Sequence, residues 1–207
     1  MVQRAQRTEA GRRLLDSAAH LFYHQGINAV GVAGIAEVAG VTKKTLYDCF
    51  GSKTELVVAY LEDRHSRWWD YLEQRLEGAA VPRALVLFDC YFDHPWLDVS
   101  RGCGFLNGAA ELPADHPGLV VIRRHKAQVR ARLGALVAAD YPVLHNADSV
   151  AEHVFLLLEG AVAHQGIDSQ AGHRQQARQM VHALLTSGHC GGEADAGSGE
   201  AWGESSA

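Results

Sequence analysis

The sequence predicts an all-α protein of about nine helices. Apolar residues recur at helical spacing, as in Leu14, Ala18, Leu21 and Phe22. Capping signals stand beside such stripes: Gly26 after the first, and Ser52 to Glu55, with capping-box spacing, before a long one. No alternating apolar run is bounded by hairpin turn dipeptides, so strands are not expected.

Taken in order, the first helix carries the Leu14–Phe22 stripe and stops at Gly26. A short helix around Ile35–Ala39 ends at Gly40, and another follows Thr42, a residue suited to capping an N-terminus. The Ser52–Glu55 box opens a long helix through about Gly78. An apolar helix lies between Pro82 and Pro95, and a short piece covers Phe105–Glu111. A long helix runs from about Pro117 to Asp140. A second capping box, Ser149 to Glu152, starts a helix that is apolar on nearly all sides around Val154–Leu158. A last helix covers roughly Gly172 to Ser187. The glycine-rich, acidic stretch 188–207 has no core-forming pattern and reads as a disordered tail.

Composition narrows the function classes. Of 207 residues, 47% are hydrophobic and 21% charged, which is ordinary for a globular chain. No run of about eighteen apolar residues suggests a membrane span, and the basic N-terminus lacks the apolar core of a secretory signal. The four cysteines, Cys49, Cys90, Cys103 and Cys190, form no C-x-x-C pair. A reducing, cytoplasmic location is expected. The net charge of −5 is unevenly spread. Residues 1–60 hold seven Lys and Arg against five acids, so a slightly basic end sits on an acidic body, as suits a polyanion met by one end.

The stretch GVTKKTLYDCFGSKTEL, Gly40 to Leu56, carries the functional signal. Two short helices joined at Gly40 make a helix-turn-helix. The second would be the recognition helix, and its first positions, Thr42, Lys43, Lys44 and Thr45, are polar hydrogen-bonding groups. That end of a recognition helix reaches base edges in the major groove. Lys suits guanine acceptors, and a Thr methyl suits a thymine methyl. Thr42 and the free N–H groups of the helix start suit phosphate. Tyr47 and Lys53 are candidate backbone-phosphate contacts. A Lys- and Thr-rich helix start is also what a solvated cap looks like. A phosphate-gripping P-loop does not fit, because G-x-x-x-x-G-K is absent.

IAEVAGVTKKTLYDCFGSKTEL resembles the signature of TetR-family transcriptional regulators. The likeness covers about residues 8–60, and RGCGFLNGAAELPADHPG followed by RRHKAQVRARL more loosely resembles the effector domain of one subgroup. Two positions depart from the family. Val30 and Gly31 stand where Thr or Ser usually caps the first short helix, and Cys49 stands where His is common. Both departures predict weaker DNA affinity without loss of the fold.

The resemblance implies a DNA-reading domain at 1–52 and an effector-binding and dimerisation domain at 53–187. It implies a homodimeric repressor that binds a palindromic, double-stranded operator and is released by a small molecule. An activator, a regulator without a ligand, and a helical small-molecule-binding protein or enzyme are the alternatives. It further implies a dimer bundle from the last two helices, for which Phe155, Leu157, Leu158, Val162, Val181 and Leu184 are the candidates. The expected pocket draws on the aromatics Trp68, Phe88, Tyr91, Phe92, Trp96 and Phe105. Cys103, Asn107, His125 and His153 are its polar groups. An apolar, aromatic or amphipathic effector would fit such a lining. No catalytic set and no cofactor motif is recognisable, and His20 and His24, four apart, are the one metal-like spacing noted.

Overall fold

The computed structural model describes residues 8–168 and 172–187. Cys190 and the stretch 188–207 lie outside them. Nine helices and no strand occur among the described residues: α1 (Glu9–Gln25), α2 (Val32–Val38), α3 (Lys43–Phe50), α4 (Lys53–Leu76), α5 (Arg83–Cys90), α6 (Gly104–Glu111), α7 (Gly118–Asp140), α8 (Ala147–Gln165) and α9 (Gly172–Ser187). None of these helices is long and apolar enough to cross a membrane.

The N-terminal helices start and stop where their caps dictate. The Thr8 hydroxyl accepts from the Gly11 N–H at 3.0 Å, and the Gly26 N–H closes α1 on the Phe22 carbonyl. Leu14, Ala18, Leu21 and Phe22 are buried, as their spacing requires. The turn between α2 and α3 bonds the Gly40 N–H to the Glu37 carbonyl and the Val41 N–H to the Ala36 carbonyl. Gly40 sits at φ 63°, a conformation that costs glycine little and a branched residue much. Ile35, Leu46 and Phe50 then meet the α1 stripe in one core.

α4 runs from this N-terminal group into the body. Ser52 caps it, accepting from the Glu55 N–H at 3.0 Å. The core is continuous from α1 through α4 to α8, α9 and the buried face of α7. α5 has no cap from Pro82. Instead the Asp140 carboxylate, 1% exposed at the far end of α7, accepts from the Arg83 backbone N–H at 2.7 Å and from its guanidinium.

Two expected boundaries differ. The helix expected between Pro82 and Pro95 ends at Cys90, because the N–H groups of Tyr91 and Phe92 tighten onto carbonyls three residues back. α8 begins at Ala147, so Ser149 lies inside the helix rather than capping it. The Val150 N–H is already bonded to the Asn146 carbonyl there.

Candidate nucleic-acid interface and inner cavity

α3 presents its first turn to solvent. Thr42 caps it, its hydroxyl accepting from the Thr45 N–H at 3.1 Å while the two hydroxyls meet at 2.9 Å. One hydroxyl donates to the other, which leaves one proton of the pair for an outside acceptor. Lys43 is exposed. The Lys44 ammonium reaches back to the Asp48 carboxylate at 2.6 Å, a pair so exposed that it is worth little and is easily exchanged for phosphate. Tyr47 is exposed, whereas Leu46 and Phe50 are buried against α1 and α2, so one side of α3 is core and the other is free. Lys53 is half-buried. Burial lowers its ammonium pKa, against the pull of the nearby Glu111 carboxylate. α2 starts at Gly31 with no side-chain cap, as the departure at Val30 and Gly31 predicts, and exposed Val38 adds an apolar group beside the turn.

The body encloses a small cavity of about 20 Å³, room for about one water. Trp68, Tyr91, Cys103, Phe105 and His125, all expected of a pocket, line it. Arg64, His94, Leu97, Val99 and Val162 line it as well and were not expected there. His125 is fully buried with Phe105 stacked on it at 3.9 Å. Burial, then the surrounding cations beginning with Lys126, push its pKa down to about 2, so the ring is neutral. Its Nδ1 lies 3.0 Å from His65 Nδ1 and its Nε2 lies 3.1 Å from the Tyr91 hydroxyl. Both nitrogens are therefore occupied. Burial alone would lower the Lys126 pKa, but Tyr91, Cys103 and Glu159 outweigh it and raise it. Its ammonium donates to Glu159 at 2.7 Å and to Cys103 Sγ at 3.5 Å.

The remaining pocket candidates lie elsewhere. Phe88 is core, with no surface on the cavity. Phe92 lies under the Arg174 guanidinium on the α9 side. Trp96 is 73% exposed and lines an outer groove of about 200 Å³ between α1 and α4. The Asn107 amide donates to the Arg101 carbonyl, and His153 is exposed on α8. His20 and His24 lie 4.5 Å apart. Among the described residues no three His, Cys, Asp or Glu side chains gather as a metal site needs.

Two sets of contacts tie the N-terminal helices to the cavity wall. The Tyr23 hydroxyl donates to the Gly102 carbonyl at 2.9 Å and accepts from the Arg101 N–H at 2.8 Å. The Arg101 guanidinium returns to the Tyr23 carbonyl at 2.7 Å. At the other end of α6, Glu111 accepts from the Asn28 N–H through its carboxylate and from the Asn28 amide through its carbonyl. α6 thus carries Phe105 of the cavity and, through Glu111, holds Asn28 just after α1, while the 101–102 turn that leads into α6 holds Tyr23.

On the outer face of α8 and α9, Leu156 is 58% and Met180 50% exposed, beside Leu157 and Gly160. Among the expected dimer residues, Leu158, Val162 and Val181 are completely buried inside the chain and have no surface left for a partner. Phe155 and Leu184 are half-buried, Phe155 under the Arg130 guanidinium. One-residue shifts on a helix rotate a side chain by roughly 100°, and on α8 that separates Leu157 and Leu156 from Leu158.

Known proteins agree with this arrangement. The family described as "Bacterial regulatory proteins, tetR family" matches residues 14–60. The chain is 40% identical over 175 residues to the HTH-type transcriptional regulator TtgR of Pseudomonas putida, covering 77% of this chain and 80% of that one. It is 36% identical over 84 residues to the HTH-type transcriptional repressor KstR2 of Rhodococcus jostii, 38% of this chain and 41% of that one. A crystal structure of a TetR-family transcriptional regulator from Streptomyces coelicolor superposes with a TM-score of 0.77 at 26% identity, covering 86% of this chain and 95% of that chain. With a helix-turn-helix at its N-terminus and a relative matched over most of both lengths, the chain belongs to the TetR family of DNA-binding transcriptional regulators.

Proposed function

We propose that this regulator is a homodimeric repressor that reads a palindromic operator through α3 and leaves it when a small molecule enters the inner cavity. The division of labour would follow the helices, with α1–α3 reading DNA and α4–α9 sensing and pairing. The observation that carries the reading is the position of α6. It supplies Phe105 to the cavity, holds Asn28 after α1 through Glu111, and follows directly on the 101–102 turn that holds Tyr23 of α1, so a change in the cavity bears on the placement of α3. An effector acts only through its different affinity for the two placements. The repressor reading leans on KstR2, a transcriptional repressor.

Pairing through α8 and α9 is supported by the exposed Leu156 and Met180, with Gly160 allowing close helix approach. Two recognition helices would then read half-sites about 34–36 Å apart. Lys43, Lys44, Thr45 and Tyr47 are the base and phosphate contacts of this reading, with Thr42 and Lys53 at its edges.

The test is titration of the full chain against a palindrome near its own gene at fixed salt. Lys44→Ala and Tyr47→Phe each weaken binding several-fold while leaving the helical spectrum unchanged. Binding that survives both substitutions unaltered removes α3 as the reading element.

A further inference from the structure

The cavity has a one-sided hydrogen-bonding character. His125 spends both ring nitrogens on His65 and Tyr91, and Lys126 is matched by Glu159. The polar groups left over are both donors. The Trp68 indole Nε1 is buried with no partner among the described residues. The Arg64 guanidinium is 8% exposed and lies over the Tyr23 ring at 4.9 Å. It donates to the Asp98 carbonyl at a long 3.3 Å and to the Tyr60 hydroxyl. No carboxylate among the described residues lies within ion-pair distance of it. The acids on the groove side are engaged elsewhere: Asp63 with Arg67, and Asp98 with Ser100 and His24. A buried cation with no carboxylate in contact, only the more distant field of Asp98, and a buried N–H without an acceptor each carry a cost that a bound acceptor removes.

Apart from these two donors and the groups already satisfied, the cavity offers aromatic and aliphatic surface, chiefly Phe105, Leu97 and Val162. Arg64 and Leu97 also line the outer groove, so they form the wall between groove and cavity. We propose that the effector is a small aromatic carboxylate, its anion held by Arg64 and the Trp68 N–H and its ring seated beside Phe105. It enters from the outer groove past Leu97, and the cavity widens from its one-water size to take it. Because Arg64 also lies over Tyr23, a carboxylate that draws the guanidinium inward takes it off the helix that carries the DNA-reading group.

The proposal rests on the ligand-responsive reading above and deepens it. The test uses the full chain with benzoate, phenylacetate and cinnamate beside the matching neutral amides. Binding is followed by calorimetry and thermal shift, and operator release by fluorescence anisotropy. At least one acid binds at least ten-fold more tightly than its amide and releases the operator. Arg64→Met abolishes the preference for the acid, and Trp68→Phe, which keeps the ring and removes the N–H, weakens acid binding several-fold. Circular dichroism and thermal melting without ligand show that both variants are folded.

Amides that bind as well as the acids overturn the proposal. So does an acid preference that survives Arg64→Met, or the absence of binding by all six compounds at millimolar concentration. Failure of the ligand-free protein to bind any operator would instead remove the regulatory reading, and the acid–amide comparison is independent of it.

Discussion

The Tyr23 hydroxyl and the Gly102 carbonyl, 79 positions apart in sequence, are joined by a 2.9 Å hydrogen bond. Tyr23 ends the buried face of α1, and Gly102 sits in the turn before α6. The same hydroxyl accepts from the Arg101 N–H, so one side chain satisfies two backbone groups. Burial, the largest influence, pushes the phenol pKa up to about 12, which keeps it a donor across the physiological range.

Tyr23→Phe leaves that carbonyl and that N–H without their partner. The expected loss is about 1–3 kcal/mol, which for a chain of this size lowers the melting midpoint by about 2–4 °C per kcal/mol. The variant also weakens the coupling of ligand binding to operator release, since only the Arg101 guanidinium on the residue 23 carbonyl then ties α1 to the turn. Calorimetric melting and an anisotropy titration with ligand check both, and an unchanged midpoint would sink the latch as an energetic element.

Asp48 lies on the exposed side of the recognition helix and holds Lys44. Asp48→Asn removes a negative charge from the side proposed to face DNA and frees the ammonium. Operator binding should tighten by roughly two- to five-fold, in line with the ~0.2–1 kcal/mol of an exposed pair. The gain should shrink as salt is raised. Equal affinity of variant and parent at low salt would place Asp48 away from the DNA.

Acid should weaken the fold through His125. Its folded pKa is held far below the unfolded value of about 6.5, so its contribution is fully present above about pH 6.5. As the pH falls below that value the unfolded chain takes up a proton that the folded chain refuses. Burial shifts His65 and His94 in the same direction. The slope is about 1.4 kcal/mol per pH unit per histidine, so His125 alone costs about 2 kcal/mol between pH 7 and pH 5. Urea unfolding at several pH values measures it. His125→Gln should flatten the profile, and a parent curve level from pH 7 to pH 5 would contradict the neutral buried ring.

Leu156→Glu places a charge at the centre of the exposed α8 face without touching the core. Sedimentation should then show a monomer with unchanged helical content, where the proposed pairing makes the parent a dimer. A dimer that persists in Leu156→Glu would move the pairing surface away from α8.

The N-terminal helices are legible from residue type, because their ends are set by local chemistry: Gly26, Thr42 and Ser52 each act within about four residues of themselves. Pocket residues were legible only in part. Trp68, Tyr91 and Phe105 line the cavity, while Phe88, Phe92 and Trp96 share their composition and occupy core, edge and surface. What sorts them is how the segment after α5, and α6, pack against α4 and α7, a non-local quantity. Arg64 escaped notice because a charged residue on a long helix reads as a solvated face. Its burial depends on Gly104, where a Cβ would meet the guanidinium at 2.8 Å. Ser149 misled because a capping pattern marks a helix start only when the preceding residues are not already helical.

The backbone at Gly102 has φ 73°, and a Cβ there would meet the Val162 carbonyl at 2.9 Å. A Cβ on Gly166 would meet the Arg101 carbonyl group at 2.6 Å. The turn at 101–102 is therefore pressed between Tyr23 on one side and the end of α8 on the other, with no side chain's thickness to spare. In the proposed dimer this makes the turn a spacer of fixed gauge. A single added methyl there would have to push α1 and the end of α8 apart, and in that dimer the spacing of the two reading heads would shift with it.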